Sequence, residues 1–70
     1  MPLTMANAGT PISISQVHAK DDTRRFLESL GFVSGATVVI IAEMAGNLIV
    51  NVKDTRVAIS KAMANKIQVA

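Results

Sequence analysis

Five short apolar runs closed by turn signals, one helical pattern after the first run and one further helical turn before the last predict a mainly β domain. That arrangement is a small five-stranded SH3-like barrel, whose partial closure limits exposed sheet edges. Composition points the same way: half of the 70 residues are hydrophobic, yet there is no Trp, no Tyr and only 2 Phe, so the core has to be built from Val, Ile, Leu, Met and Ala. A chain of this length is expected to form one domain over residues 1–70, near the lower limit at which a single core suffices. An OB-like barrel is the main competing architecture, but its helix falls later, between strands three and four.

The first strand is expected over Ile12 to Val17, where ISISQV alternates with period two after the turn residues Gly9, Thr10 and Pro11. Ile12, Ile14 and Val17 face inward, which requires a bulge near Gln16. Ahead of it, Leu3 and Met5 form a short edge strand or lie over the open end of the core. DDTRRFLESLG then reads as a short amphipathic helix, with Asp21 or Asp22 as cap and Phe26, Leu27 and Leu30 as its apolar stripe. Asp21 and Arg25 form an i,i+4 pair, and Gly31 stands at the left-handed position that ends such helices.

From Ala36 to Met44 the run is apolar on both sides, with Val38 and Ile40 on one face and Val39 and Ile41 on the other. Gly46 and Asn47 supply a turn, and Leu48, Val50 and Val52 then share one face against Ile49, Asn51 and Lys53. After a turn at Lys53 to Thr55, RVAIS turns Val57 and Ile59 inward. Ser60 caps one helical turn over SKAMANK, and KIQVA closes the chain with Ile67 and Val69 inward. Gly35 lets the chain turn sharply between Phe32, which plugs one end of the barrel, and Val38, which enters the sheet.

The same residues bound the chemistry. Without cysteine there is no disulfide framework, thiolate metal site or cysteine nucleophile. One histidine, five carboxylates and scattered hydroxyls offer no nucleophile, base and orienter at usable spacing, so no enzyme is expected. HAKDD gathers His18, Asp21 and Asp22 as weak candidate ligands for a divalent ion, against the plainer reading of an exposed histidine and a capped helix. Lys20, Arg24 and Arg25 cluster, but the aromatic platforms of a nucleic-acid groove are lacking, and so are those of a proline-peptide groove. Gly31 and Gly35 are not followed by the Lys-Ser or Lys-Thr of a phosphate loop. Net charge is +2, mixed along the chain, which describes a weak cation rather than a polyelectrolyte binder.

The longest unbroken apolar run, Val38 to Ala42, has five residues, where about 20 are needed to cross a bilayer. The amino-terminal MPLTMANAGTP lacks the basic and apolar regions of a secretory signal, so a cytoplasmic location without direct membrane insertion is expected. Apolar residues are nonetheless in surplus. With Val38, Ile40, Leu48, Val50 and Val52 filling the interior, Val39, Ile41, Met44 and Ile49 fall on the opposite face. There they form either an exposed binding patch or a second small core under the helix or the Leu3 arm.

Taken together, the leucine-led start from Leu3 to Gly9, the Ile-rich strand, RRFLESLGFVSG, the strand pair and the ending TRVAISKAMANKIQV resemble the FeoA family over Leu3 to Val69. In the helix-to-strand turn Ser34 stands where many members have proline. The hairpin loop EMAGNL lacks the Gly-Asp-Pro often found there. The SH3-like carboxy-terminal domain of diphtheria-toxin-repressor-type regulators shares the fold, but with no helix-turn-helix ahead of it the chain is not expected to be a repressor. The resemblance implies a non-enzymatic accessory of ferrous iron uptake that docks on the cytoplasmic GTPase side of the FeoB transporter. The expected contact surface is Val39, Ile41, Met44 and Ile49 with Arg24 and Arg25 at its rim. Direct sensing or delivery of ferrous iron through HAKDD and a nucleic-acid-binding barrel are the competing readings, and a homodimer through an apolar edge strand is allowed.

Overall fold

In a computed structural model describing residues 1–70, the chain forms a 3-10 turn (Leu3–Met5), β1 (Ile12–Val17), α1 (Asp21–Ser29), β2 (Thr37–Met44), β3 (Asn47–Val52), β4 (Thr55–Ser60), α2 (Lys61–Ala64) and β5 (Ile67–Val69). Every strand pair is antiparallel, in the spatial order β4-β3-β2-β1-β5. The two terminal strands, β4 and β5, do not pair, so the sheet is not closed, and α2 is the link between them. The mainly β architecture, both helical segments and their places in the order are as expected.

Period-two alternation builds the core. On β2 and β3 the register sets Val38 beside Val52 and Ile40 beside Val50, and on β3 and β4 it sets Leu48 beside Ile59, so that all six side chains meet on one face. Leu3, Ile14, Leu27, Phe32, Ala64, Ile67 and Val69 complete the buried set, and no polar side chain is buried among them. On β1 the register shifts between Ile14 and Gln16. That irregularity lets Val17, an odd number of residues after the buried Ile14, also pack against the core.

The helix ends as its sequence predicts. Gly31, at φ +106°, donates its N–H to the Glu28 carbonyl (3.0 Å), and the Phe32 N–H returns to the Leu27 carbonyl (3.0 Å). These are the two bonds of a Schellman motif, and its usual apolar contact falls here on Leu27 and Phe32, both fully buried. The start of the helix differs from expectation. Lys20 occupies the N-cap with extended backbone and no side-chain cap bond, while Asp21 and Asp22 lie in the first turn, where their charge favours the helix dipole without capping. Asp21 pairs with Arg24 at 3.0 Å rather than with Arg25. The apolar stripe is also narrower: Leu27 is buried and Leu30 half-buried, but Phe26 is 49% exposed, because it sits a full 100° around the helix from Leu27.

Two further expectations shift slightly. The β2–β3 turn is Ala45–Gly46, with Asn47 already in β3 opposite Met44. Leu3 and Met5 belong to a 3-10 turn, not an edge strand; Leu3 enters the core and Met5 stays in solvent. The segment that does pair with β5 is Met1–Pro2, through the Val69 N–H to the Met1 carbonyl (2.7 Å) and a bridge from Pro2 to Gln68. Ser60 caps α2 as expected, accepting the Met63 N–H at 3.2 Å.

Local strain makes two stability predictions. A Cβ at Gly31 would lie 3.0 Å from Val52 Cγ2, whereas one at Gly35 (φ +87°) meets nothing within 4 Å. Gly35→Ala is therefore expected to cost about 1 kcal/mol for its backbone alone, and Gly31→Ala more than that, read from urea midpoints at unchanged slope. Equal losses would contradict the packing role assigned to Gly31. In the β2–β3 turn Ala45 carries φ +50°, a conformation asparagine tolerates better. Ala45→Asn, which creates an Asn-Gly turn, is expected to raise stability by about 0.5–1 kcal/mol in the same measurement.

Candidate functional site

The solvent side of the β2–β3–β4 sheet carries its alternate residues in three cross-strand rows. Val39, Asn51 and Arg56 form one; Ala42, Ile49 and Ala58 the next; Met44, Asn47 and Ser60 the third. Ile41 is the extra residue where the β2–β3 register shifts between Ile40 and Ala42. A strict alternation would have placed Ile41 opposite Ile49. The irregularity gives that place to Ala42 and leaves Ile41 40% exposed beside it. Met44 is 64% exposed, while Val39, Ala42 and Ile49 are half-buried by their neighbours in the sheet. Neither α1 nor the Leu3 turn covers these residues: Leu3 enters the core from the β5 side and α1 contributes Leu27 to it.

The exposed Ile41 and Met44 and the half-buried Val39, Ala42 and Ile49 thus form one apolar group across adjacent strands. Ala42 and Ala58 belong to it although sequence reading did not single them out. Only the register shift and the β3–β4 pairing reveal them, since alanine carries no strong signal of its own.

Arg24 and Arg25 lie elsewhere. Arg24 joins Gln16, Val17, Glu28 and Ser34 around a shallow polar hollow of about 350 Å³ between α1 and the end of β1 that pairs with β5. Its guanidinium is engaged with Asp21, and Arg25 is exposed on the same helix. Ser34 donates its hydroxyl to the Ser15 carbonyl at 3.0 Å, fastening the helix-to-strand turn to β1. Phe26, exposed on α1, is a further apolar surface residue that the helical periodicity had assigned to the core.

The HAKDD residues do not converge. His18 is exposed just past β1, its N–H bonded to the Lys66 carbonyl (2.6 Å), while Asp21 and Asp22 project from successive helical positions and Asp21 is occupied by Arg24. No three His, Asp or Glu side chains come together anywhere in the chain in a way that could hold a metal ion. No helix is long and apolar enough to cross a membrane.

The chain's likeness to known proteins adds to this geometry. The FeoA domain model matches residues 1–70. An iron uptake regulatory protein (FeoA) of known crystal structure is 26% identical, with 99% of this chain and 93% of that one aligned at a TM-score of 0.90. FeoA of Stenotrophomonas maltophilia, a procaryotic SH3-domain protein crystallised with zinc, is 32% identical over 100% of this chain and 89% of its own, at a TM-score of 0.86. A manganese-dependent transcriptional repressor, 20% identical, shares the fold alone: it covers 100% of this chain but only 40% of its own length, at a TM-score of 0.88. No curated protein sequence matches the chain. A family model spanning every residue, on a five-stranded SH3-like fold shared with solved members, establishes that the chain belongs to the FeoA family, which is associated with ferrous iron transport.

Proposed function

We propose that this chain is a non-enzymatic accessory of ferrous iron uptake, docking by the solvent face of β2 and β3 on the cytoplasmic GTPase side of a FeoB-type transporter. The observation that carries the reading is the apolar surface itself. Ile41 and Met44 stand exposed next to Val39, Ala42 and Ile49, on a domain whose interior is already filled. Exposing such side chains together is unfavourable unless a partner removes them from water, at roughly 25 cal/mol for each Å² covered. Membership of a family associated with ferrous iron transport supports a transporter as the partner, and the dispersed titratable groups, none of them buried, favour binding over catalysis. Arg24, which lines the hollow beside β1, and Arg25 on the same helix are left out of this contact.

Replacing Ile41 by Asp puts a charge on the face without touching the core. Its binding to the purified cytoplasmic GTPase domain of the transporter is expected to weaken by about tenfold or more, with an unchanged circular dichroism spectrum. Unaltered affinity would sink the docking surface. The metal-carrier reading has its own measurement: anaerobic titration with ferrous iron. The wild-type chain and His18→Ala are expected to behave alike, because His18, Asp21 and Asp22 do not share a site. Micromolar binding lost in His18→Ala would establish HAKDD as a metal site instead.

A further inference from the structure

The two edges of the sheet are treated differently. On β5 the outer edge is covered by the chain's own amino terminus, with Met1 and Val69 exchanging bonds and Pro2 bridging to Gln68. On β4 nothing pairs beyond β3. Which β4 groups are free follows from one hydrogen bond. The Lys61 N–H reaches the Gly46 carbonyl at 3.1 Å, which makes the enclosed pair Asn47 and Ser60 a non-hydrogen-bonded one. Counting back along the unbroken register, Leu48 and Ile59, Val50 and Val57, and Val52 and Thr55 exchange the ladder bonds. The N–H and C=O of Arg56 and Ala58 therefore point away from the sheet, as does the N–H of Ser60, and no turn or loop bond reaches Arg56 or Ala58.

This edge carries little of the usual protection. Thr55 to Ser60 contains no proline, no lysine, no bulge and no inward-pointing charge. Its one charged residue, Arg56, lies on the solvent face in the row of Asn51 and Val39.

We propose that β4 is the interface of a two-fold symmetric homodimer, in which two copies pair antiparallel about Ala58. Read against itself in this register, the strand is self-complementary. Ala58 meets the partner's Ala58 through the free backbone groups, and Arg56 lies opposite the partner's Ser60, so no like charges are juxtaposed. Val57, still half-exposed at the margin of the core, lies opposite the partner's Ile59. On the solvent face the row Ala42, Ile49, Ala58 continues into the same row of the second copy, joining two apolar faces into one. A foreign strand would satisfy the same backbone groups, but the side-chain match argues for the chain's own sequence. The inference does not depend on the transporter reading.

Sedimentation equilibrium up to millimolar concentration tests it, with Ala58→Pro as the variant. Proline there removes an edge N–H that β3 does not use, so the β3–β4 ladder survives. Wild type is expected to show a concentration-dependent dimer, and Ala58→Pro a dimerisation weakened at least about tenfold with its circular dichroism unchanged. A wild-type chain monomeric throughout, or a dimer that persists in the folded variant, overturns the proposal. Should the variant fail to fold, amide exchange of the wild type decides. The Arg56 and Ala58 amides are expected to gain protection as concentration rises, while Val57 and Ile59 are protected throughout. Free exchange at Arg56 and Ala58 at millimolar concentration, or protection only on adding another protein, equally contradicts a dimer.

Discussion

The Leu27–Phe32 closure at the end of α1 is the contact on which the rest of the architecture depends. Apart from Leu27, the helix gives the core only the half-buried Leu30, so it is held mainly by the turn that follows it. Gly31 makes that turn possible by combining a left-handed backbone with a close approach to Val52. Once the turn is set, Phe32 fills the end of the core, Ser34 ties the connection to β1 and Ala36 delivers β2 in register with β1. A glycine thus fixes both the helix and the entry of the central strand.

With the interior satisfied on one side of β2 and β3, the other side is left to solvent. The register shift at Ile40–Ala42 is what gives that side its exposed apolar character, since it displaces Ile41 from the alternation and exposes it. The surface therefore arises from the same strand that supplies Val38 and Ile40 to the core. Salt bridges contribute little to either role. Asp21–Arg24 and Glu43–Lys61 are both substantially exposed, where such pairs are worth about 0–1 kcal/mol.

Strong local signals made most of the fold legible in the sequence. Alternation at Leu48, Val50 and Val52, the Ser60 cap and the glycine after Leu30 each have a single physical reading, and each is found where it was expected. Misreadings occur where nonlocal geometry decides. Phe26 looked like a core residue because helical spacing cannot tell which of two adjacent apolar positions meets the body. The capping role of Asp21 and Asp22 failed because Lys20, unable to cap with its side chain, takes the N-cap position. Linear spacing likewise does not reveal that Arg24 lines a hollow with Gln16 and Val17 of β1. Ala42 and Ala58 became visible only through cross-strand pairing, which no single run of residues encodes.

The central functional claim is that β2 and β3, rather than the α1 hollow, present the partner-binding surface. Backbone amide chemical shifts recorded while the transporter's cytoplasmic GTPase domain is added test this directly. The expected perturbations concentrate on Val39, Ile41, Ala42, Met44 and Ile49 and leave Gln16, Arg24 and Glu28 unmoved. Perturbations confined to Gln16, Arg24, Glu28 and Ser34, with the β2–β3 amides unchanged, would contradict the account.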